Sequence, residues 1–345
     1  MRNFRKATLA DVAARVGVSA ITVSRALRMP DKVSPRLREE IARAIDDLGY
    51  VPNPAARTLA SSRTNVIGVI IPSVTNNVFA EVLLGIYTAL ESTDYDIQLA
   101  NSRYSALREE SLLKVFLGQK PAGLIVTGID QSEKSRELLE RAACPVVQIM
   151  EIDDNPVDLM VGFSHYDAAC AATRHLIEQG YRGLGFIGAR MDPRSQRRLR
   201  GFRDTASGAG LFSESRVITT TAASTVTLGA QLFAELIDRA PDLDAVFCNN
   251  DDLALGVMFE AQRRRIPVPA WLGICGFNDL EMMATAEPPI TSVRTYRYEM
   301  GRHAVNMLVE AIEGSGGESK TIDLGFEIRK RQSSNLVASD LIGKF

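Results

Sequence analysis

Residues 8–27, TLADVAARVGVSAITVSRAL, decide how this chain is read. Thr8 stands three residues ahead of Asp11, the spacing of a helix cap, and Leu9, Val12, Ala13 and Val16 recur at i, i+3, i+4, i+7. Gly17 ends that helix, and Ser19 opens a second one in which Val23, Ala26 and Leu27 share one side. Ala20, Ile21, Ser24 and Arg25 share the other side and are free to meet a DNA major groove. A third helix is expected from Pro35, with Ser34 as cap, Leu37, Ile41, Ile45 and Leu48 on one stripe, and Gly49 as its stop. Three short helices around one apolar centre make a helix-turn-helix headpiece.

The next stretch, residues 50–60, YVPNPAARTLA, is a proline-punctuated linker running into a short helix with Asn53 as cap, Pro54 at its first position and Leu59 as its large apolar side chain. In headpiece, linker and length the chain resembles the lactose-repressor/galactose-repressor (LacI/GalR) family of bacterial transcription regulators. The resemblance implies a hinge helix that folds when two subunits meet over the operator centre. Leu59 then matches the family's wedge leucine, which pries open a base step in the minor groove. It also implies a dimer on a pseudo-palindromic operator in double-stranded DNA, with Thr8, Ser19, Ala20, Ile21, Thr22, Ser24, Arg25, Asn53, Ala56 and Leu59 at the DNA. Arg25 is the expected base reader, because guanidinium can take guanine O6 and N7 together. Ala20 and Ile21 occupy the family's specificity positions and can select only by apolar contact, while Ser19, Thr22 and Asn53 suit phosphates.

Charge divides the molecule in the same place. Up to Arg63 there are twelve Lys/Arg and six Asp/Glu, and the remainder holds 28 and 36, within a whole-chain net charge of −2. The basic end suits phosphates, and the acidic remainder is not expected to lie along nucleic acid. With 345 residues, 46% of them hydrophobic, the chain can bury a large core. No apolar run approaches the ~18 residues of a membrane span, and the basic amino terminus lacks a secretory h-region. Cys144, Cys170, Cys248 and Cys275 are scattered without metal-like spacing. They read as buried thiols of a cytoplasmic protein with no metal and no cofactor.

From Val66 onward apolar strands alternate with helical segments. Strands are expected at Val66–Ile71, 97–100, Gly123–Thr127, 146–150, 183–188, Ala245–Cys248 and 272–276, with a helix over 78–92. Strands lacking polar alternation, separated by helices, imply parallel sheets covered on both faces, here two doubly wound lobes in series. The resemblance gives the α/β core of periplasmic-binding-protein type. The expected domains are the headpiece over 1–52, a hinge over 53–63 and an effector-binding core over 64–345. Within the core, lobe one takes 64–163 and 295–322, and lobe two takes 164–294 and 323–340. Strands at 290–294 and within 322–328 flank a helix over 298–313, so three crossings would join the lobes. Residues 339–345 are too few for tetramerising heptads, so a homodimer is expected.

Ligands of such sheets bind beyond the carboxyl ends of the strands. The loops there hold Ser73, Asn76, Arg103, Glu151, Arg190, Asn250 and Asn278. The resemblance adds Arg198, ahead of a Leu-x-Gly-aromatic run, and Phe163 as an aromatic pocket residue. Many sugar-binding members carry an aspartate after the aromatic where this chain has Asn278. An aspartate would repel a carboxylate, whereas an amide can donate to one. With Arg103 and Arg190 nearby, this looks like the gluconate-repressor branch and points to a sugar acid as effector. Glu151 matches a family acid and would instead suit sugar hydroxyls, so a neutral sugar, a sugar phosphate or a purine remains the alternative. A solute-binding protein would need an export signal and no headpiece. An enzyme is disfavoured because no dinucleotide fingerprint, Walker loop or nucleophile elbow occurs. Both signs of ligand control fit this architecture, since they differ only in which hinge state the ligand prefers; repression is the expected outcome.

Overall fold

The computed structural model describes residues 7–51, 64–315 and 319–336. Contacts divide the chain into two units, Met1–Thr64 and Asn65–Phe345, and each is considered by itself.

The first unit is a three-helix cluster. Helix α1 (Leu9–Val16) begins in a reciprocal capping box between Thr8 and Asp11, and ends at Gly17, whose φ of 76° is the left-handed turn that glycine adopts freely. Helix α2 (Ala20–Arg28) starts at Ser19, whose hydroxyl accepts the Thr22 amide. Helix α3 (Pro35–Leu48) ends at Gly49, φ 59°. Val12, Ala13, Val23, Ala26, Ile41 and Ala44 form the centre. Leu27 departs from the expected stripe and is 42% exposed, because the α2 face that meets α1 is already filled by Val23 and Ala26. Ser34 sits at the α3 N-cap but makes no side-chain cap bond. The expected hinge helix falls on residues outside those described.

The second unit holds two six-stranded sheets. The first, in the order β11-β5-β4-β3-β1-β2, contains β1 (Val66–Ile71), β2 (Asp96–Asn101), β3 (Gly123–Thr127), β4 (Val146–Ile149), β5 (Leu159–Gly162) and β11 (Thr321–Asp323), all paired in parallel. The second, in the order β12-β10-β9-β8-β6-β7, contains β6 (Leu184–Gly188), β7 (Val217–Thr219), β8 (Ala245–Cys248), β9 (Gly273–Asn278), β10 (Thr291–Thr295) and β12 (Phe326–Arg329). Only β12 there runs antiparallel, against β10. The connecting helices are α4 (Asn77–Leu90), α5 (Ala106–Gly118), α6 (Glu133–Glu140), α7 (His165–Glu178), α8 (Pro193–Gly208), α9 (Val226–Arg239), α10 (Asp251–Arg264), the short α11 (Met282–Thr285) and α12 (Arg297–Glu313). Central strands such as β1 and β8 are buried on both faces, which is why their sequences lack polar alternation.

The chain passes between the lobes three times: from β5 through Phe163 and Ser164 into α7, from β10 through Tyr296 into α12, and from β11 through Leu324 and Gly325 into β12. In each sheet the strand order reverses, beside β1 in one and β6 in the other, and the crevice at that point lies beyond the carboxyl ends of the strands. Helices α4 and α12 cross backbone to backbone. A Cβ on Gly85 would strike the Tyr298 carbonyl, and one on Gly301 would strike that of Val82. No described helix is long and apolar enough to cross a membrane.

Candidate functional site

In the headpiece the α2 face opposite the core carries Ile21, 71% exposed, and an exposed Arg25. Ser24 is partly exposed on the same face, whereas Ala20 is half-buried and leans on the core. The Ser19 and Thr22 hydroxyls lie 2.9 Å apart at the helix start. The Thr8 hydroxyl is engaged with the Asp11 carboxylate at 2.7 Å, which commits it first to capping. Asn53, Ala56 and Leu59 lie outside the described residues.

In the core, a cavity of about 540 Å³ counted out to its mouth opens between the lobes. Of the expected residues, Asn76, Arg190, Arg198, Asn250 and Asn278 line it. Arg198, projecting from α8, is 7% exposed. Its Nε donates to His165 Nδ1 at 3.1 Å, one Nη donates to the Asn249 carbonyl, and its guanidinium lies 3.8 Å from the Phe277 ring centroid. Burial pushes its pKa down to about 10, against the pull of Asp192, so it stays charged at neutral pH.

Two asparagines double as helix caps. Asn76 Oδ1 accepts the Val78 amide at 3.0 Å to start α4, while its Nδ2 donates to the Tyr104 hydroxyl at 3.3 Å. Asn250 Oδ1 accepts the Leu253 amide at 3.1 Å to start α10. Each therefore offers a ligand its amide N–H groups rather than its carbonyl. Asn278 is 3% exposed, its Oδ1 is buried without a partner, and its φ of 113° lies in a region that favours glycine. Such strain is kept where the surroundings over-determine it, and here the Asn278 carbonyl accepts from Arg297. Arg190 and Tyr104 also have positive φ, 64° and 57°, and they stack across the cleft with the guanidinium 4.0 Å from the ring centroid.

Of the three acids that line the cleft, Asp252 has its pKa raised by burial, and the other two are engaged by protein partners. Asp192 caps α8 through the Ser195 amide at 2.9 Å and pairs with Arg194 at 3.0 Å. Burial alone would raise its pKa, but Arg194, the Ser195 amide and Arg198 outweigh burial and bring it to about 2. Asp251 is fully buried, accepting the Ser292 hydroxyl at 2.6 Å and the Leu280 amide at 2.7 Å, and burial raises its pKa to about 6. It ties α10 to the end of β9.

Four expected residues stand elsewhere. Phe163 has no exposed surface and packs at the crossing between lobes, 4.3 Å from the His165 ring and 6.2 Å from that of Phe277, so it shapes the floor from below. Glu151 is 3% exposed and turned into the lobe joint. Its Oε1 accepts the Ile152 and His165 amides, both at 3.3 Å, and its Oε2 lies 3.6 Å from Arg197 Nε. Burial lifts its pKa to about 7 despite Arg197. Arg103 is exposed, and Ser73 closes a local turn with Thr75; neither lines the cavity. Sequence reasoning missed Tyr104, Asp192, Arg194 and Ser195. For Asp192 a signal existed: an Asp-Pro pair opening a helix right after a strand end is a cap placed at the ligand edge of the sheet.

A three-helix headpiece with an exposed helix face that bears Arg25, joined in sequence to a two-lobe core with a polar cleft, has the architecture of a DNA-binding regulator. Residues 8–53 match the bacterial regulatory proteins of the lacI family, and residues 173–334 match the periplasmic binding protein-like domain. The HTH-type transcriptional regulator GntR of Pseudomonas aeruginosa is 39% identical over 333 residues, 96% of this chain and 97% of that protein. A lacI-family transcriptional regulator from Silicibacter pomeroyi has the same fold, with a TM-score of 0.90 and 35% identity across 96% of this chain and 100% of its own. The transcriptional regulator CelR, solved as a cellobiose complex, aligns with a TM-score of 0.68 and 30% identity over 95% of this chain and 100% of its own. The chain belongs to the lacI family of bacterial transcription regulators, and it is a DNA-binding regulator rather than an enzyme.

Proposed function

We propose that this regulator is a cytoplasmic homodimer that represses genes of sugar-acid use from a pseudo-palindromic operator, and that its effector is a polyhydroxy monocarboxylate such as gluconate bound between the lobes. The observation that carries the effector reading is the charge state of the cleft. Asp192 pairs with Arg194 and Asp251 accepts from Ser292, while Arg198 and Arg190 rest on aromatic rings and, among the described residues, form no ion pair, Arg198 feeling Asp192 only at longer range. A carboxylate would complete their charge, and bidentate pairing with guanidinium is the strong form of that contact. Hydroxyls of the same ligand would take the amides of Asn76 and Asn250, and one would donate to the unpaired Oδ1 of Asn278.

On the DNA side, Arg25 reads a base pair, Ile21 and Ala20 select by apolar contact, and Ser19, Thr22, Ser24 and Thr8 set the register. Asn53 holds a phosphate, and Ala56 and Leu59 act in the minor groove between half-sites. The expected domain limits, with the hinge over 53–63 and the lobes exchanging chain near 163, 295 and 323, belong to this reading.

The experiment is fluorescence anisotropy of the full chain on DNA upstream of neighbouring genes, with gluconate, other sugar acids and neutral hexoses added in turn. Release by sugar acids alone supports the reading. Release by a neutral sugar alone overturns the effector assignment and favours the second reading, a neutral glycoside, which the cellobiose complex of CelR makes concrete.

A further inference from the structure

His165 is the first residue of α7, immediately after the chain's first passage between the lobes, and it is wholly buried. Its ring sits between two aromatic neighbours, 4.3 Å from Phe163 and 5.7 Å from Phe277. Nε2 lies 2.8 Å from the carbonyl oxygen of Met150, at the end of β4 in lobe one. Nδ1 lies 3.1 Å from Nε of Arg198, on α8 in lobe two. The two partners leave one arrangement of protons. A carbonyl can only accept, so Nε2 carries the hydrogen; a guanidinium can only donate, so Nδ1 presents its lone pair. Met150 itself lines the cleft and holds a φ of 78°, and the His165 amide donates to Glu151 at 3.3 Å. Lobe one thus meets this one residue through a side-chain bond and a main-chain bond.

We propose that His165 is a positioning residue of the effector cleft, whose neutral imidazole orients the Arg198 guanidinium over Phe277 and links it to the Met150 carbonyl, so that a ligand held by Arg198 acts directly on the joint between lobes. The link rests on the reading that Arg198 grips the effector. The orientation of Arg198 does not depend on which ligand that is. An imidazole suits this task because it is rigid and carries one donor and one acceptor on opposite edges, so it bridges a carbonyl and a guanidinium that stand on opposite sides of the ring. Burial and the neighbouring Arg198 push its pKa well below the usual histidine range, in keeping with a ring that must not take a second proton.

The chain has three histidines, so full-length protein with 15N-labelled imidazoles gives three assignable rings. The His165 ring is identified by its loss in His165→Asn. The expected spectrum is a neutral Nε2–H tautomer that does not titrate near neutral pH, with an Nδ1 resonance that moves in Arg198→Lys. An Nδ1–H tautomer, or a ring indifferent to Arg198→Lys, overturns the proposal without reference to any ligand. Calorimetric titration of the same protein with gluconate supplies the second arm. His165→Leu, which removes both bonds, should weaken binding roughly tenfold, the loss expected for one charge-assisted hydrogen bond. His165→Asn, whose Oδ1 can still accept from Arg198 but cannot reach Met150, should bind within about threefold of wild type while releasing operator DNA less completely. Wild-type affinity in the leucine variant, or equal losses in both variants, overturns the proposal. Absence of gluconate binding by wild type counts against the effector reading alone, and the imidazole spectrum then decides the role of His165.

Discussion

The guanidinium of Arg198 rests 3.8 Å from the centroid of the Phe277 ring, and that stack sets the direction in which the arginine can offer its remaining donors. With Nε on His165 and one Nη on the Asn249 carbonyl, the plane of the fork is fixed on three sides. Arg198→Lys keeps the charge but loses both the fork and the ring contact, so it is not a conservative change here. The expected outcome is a rise of at least about tenfold in the effector concentration that half-releases operator DNA. Phe277→Leu, which stays apolar but removes the cation–π contact together with the ring's contacts with His165, Phe163 and Phe247, should cost at least about two- to fivefold. Operator anisotropy against effector concentration reads both, and an unchanged midpoint in Arg198→Lys would remove this arginine from the site.

A second cross-lobe contact is electrostatic. Asp130, in the loop after β3, receives both Nη groups of Arg197 from α8, at 2.8 and 2.6 Å. Both side chains remain partly exposed, 28% for Arg197 and 32% for Asp130, so solvent screens the pair and its worth is in the range of about 0.2–1 kcal/mol. Asp130→Asn should therefore weaken effector binding by about two- to fivefold, by making lobe closure less favourable. The effect should shrink with added salt. Calorimetric affinities at low and high ionic strength test it, and a difference independent of salt would assign the loss to something other than the ion pair.

What the sequence disclosed and what it withheld divide by range. The caps at Thr8, Ser19 and Gly17, the strand at Val66–Ile71 and the polar loops at Asn76 and Asn250 are local, written in neighbours a few residues apart. The strands β5 and β7, of four and three residues, carry too little periodicity to be read. Tyr104, Arg194 and Ser195 are not legible locally, because they matter only once segments some ninety residues apart are brought face to face. Phe163 and Glu151 lie where the strands end, as a ligand-facing residue would, but at the first crossing between lobes such positions turn inward to fill the joint. The role of His165 is hidden from a local reading for the same reason: its two partners lie 15 residues before it and 33 residues after it.

Arg25 belongs to the headpiece. It is exposed on the α2 face that bears Ile21 and Ser24, opposite the buried Val23 and Ala26. Arg25→Ala should leave the headpiece folded, since the core does not use that side chain. Loss of a bidentate base contact, worth about 1–3 kcal/mol, should reduce discrimination between operator and random DNA by roughly tenfold or more. Weak salt-sensitive binding should persist, because the other basic groups still neutralise phosphates. Competition anisotropy with specific and random duplexes reads the ratio directly. Full sequence preference in the variant would refute base reading by Arg25.

Glu151 gives the core a pH response. Burial raises its pKa from 4.5 to about 7, with Arg197 pulling the other way. A carboxyl with a folded-state value above its unfolded one binds more protons in the native state between those two values. Its contribution to stability is thus fully present below the unfolded value and is lost as pH rises through the folded one. Glu151→Gln removes the titration while its Oε1 can still accept the Ile152 and His165 amides that Glu151 accepts at 3.3 Å. Wild type should therefore lose stability relative to the variant between about pH 4.5 and about pH 7, and the difference should level off above about pH 8. The variant keeps the mainly neutral form's contacts, so the comparison isolates the proton rather than the fold. His165, held neutral by burial, acts with the opposite sign below its ordinary range and is common to both proteins, so it cancels in the difference. Urea unfolding of both proteins across that range measures it. A difference that does not vary with pH would mean that Glu151 ionises at the same pH folded and unfolded, and would require its carboxylate to be better solvated than its place in the lobe joint allows.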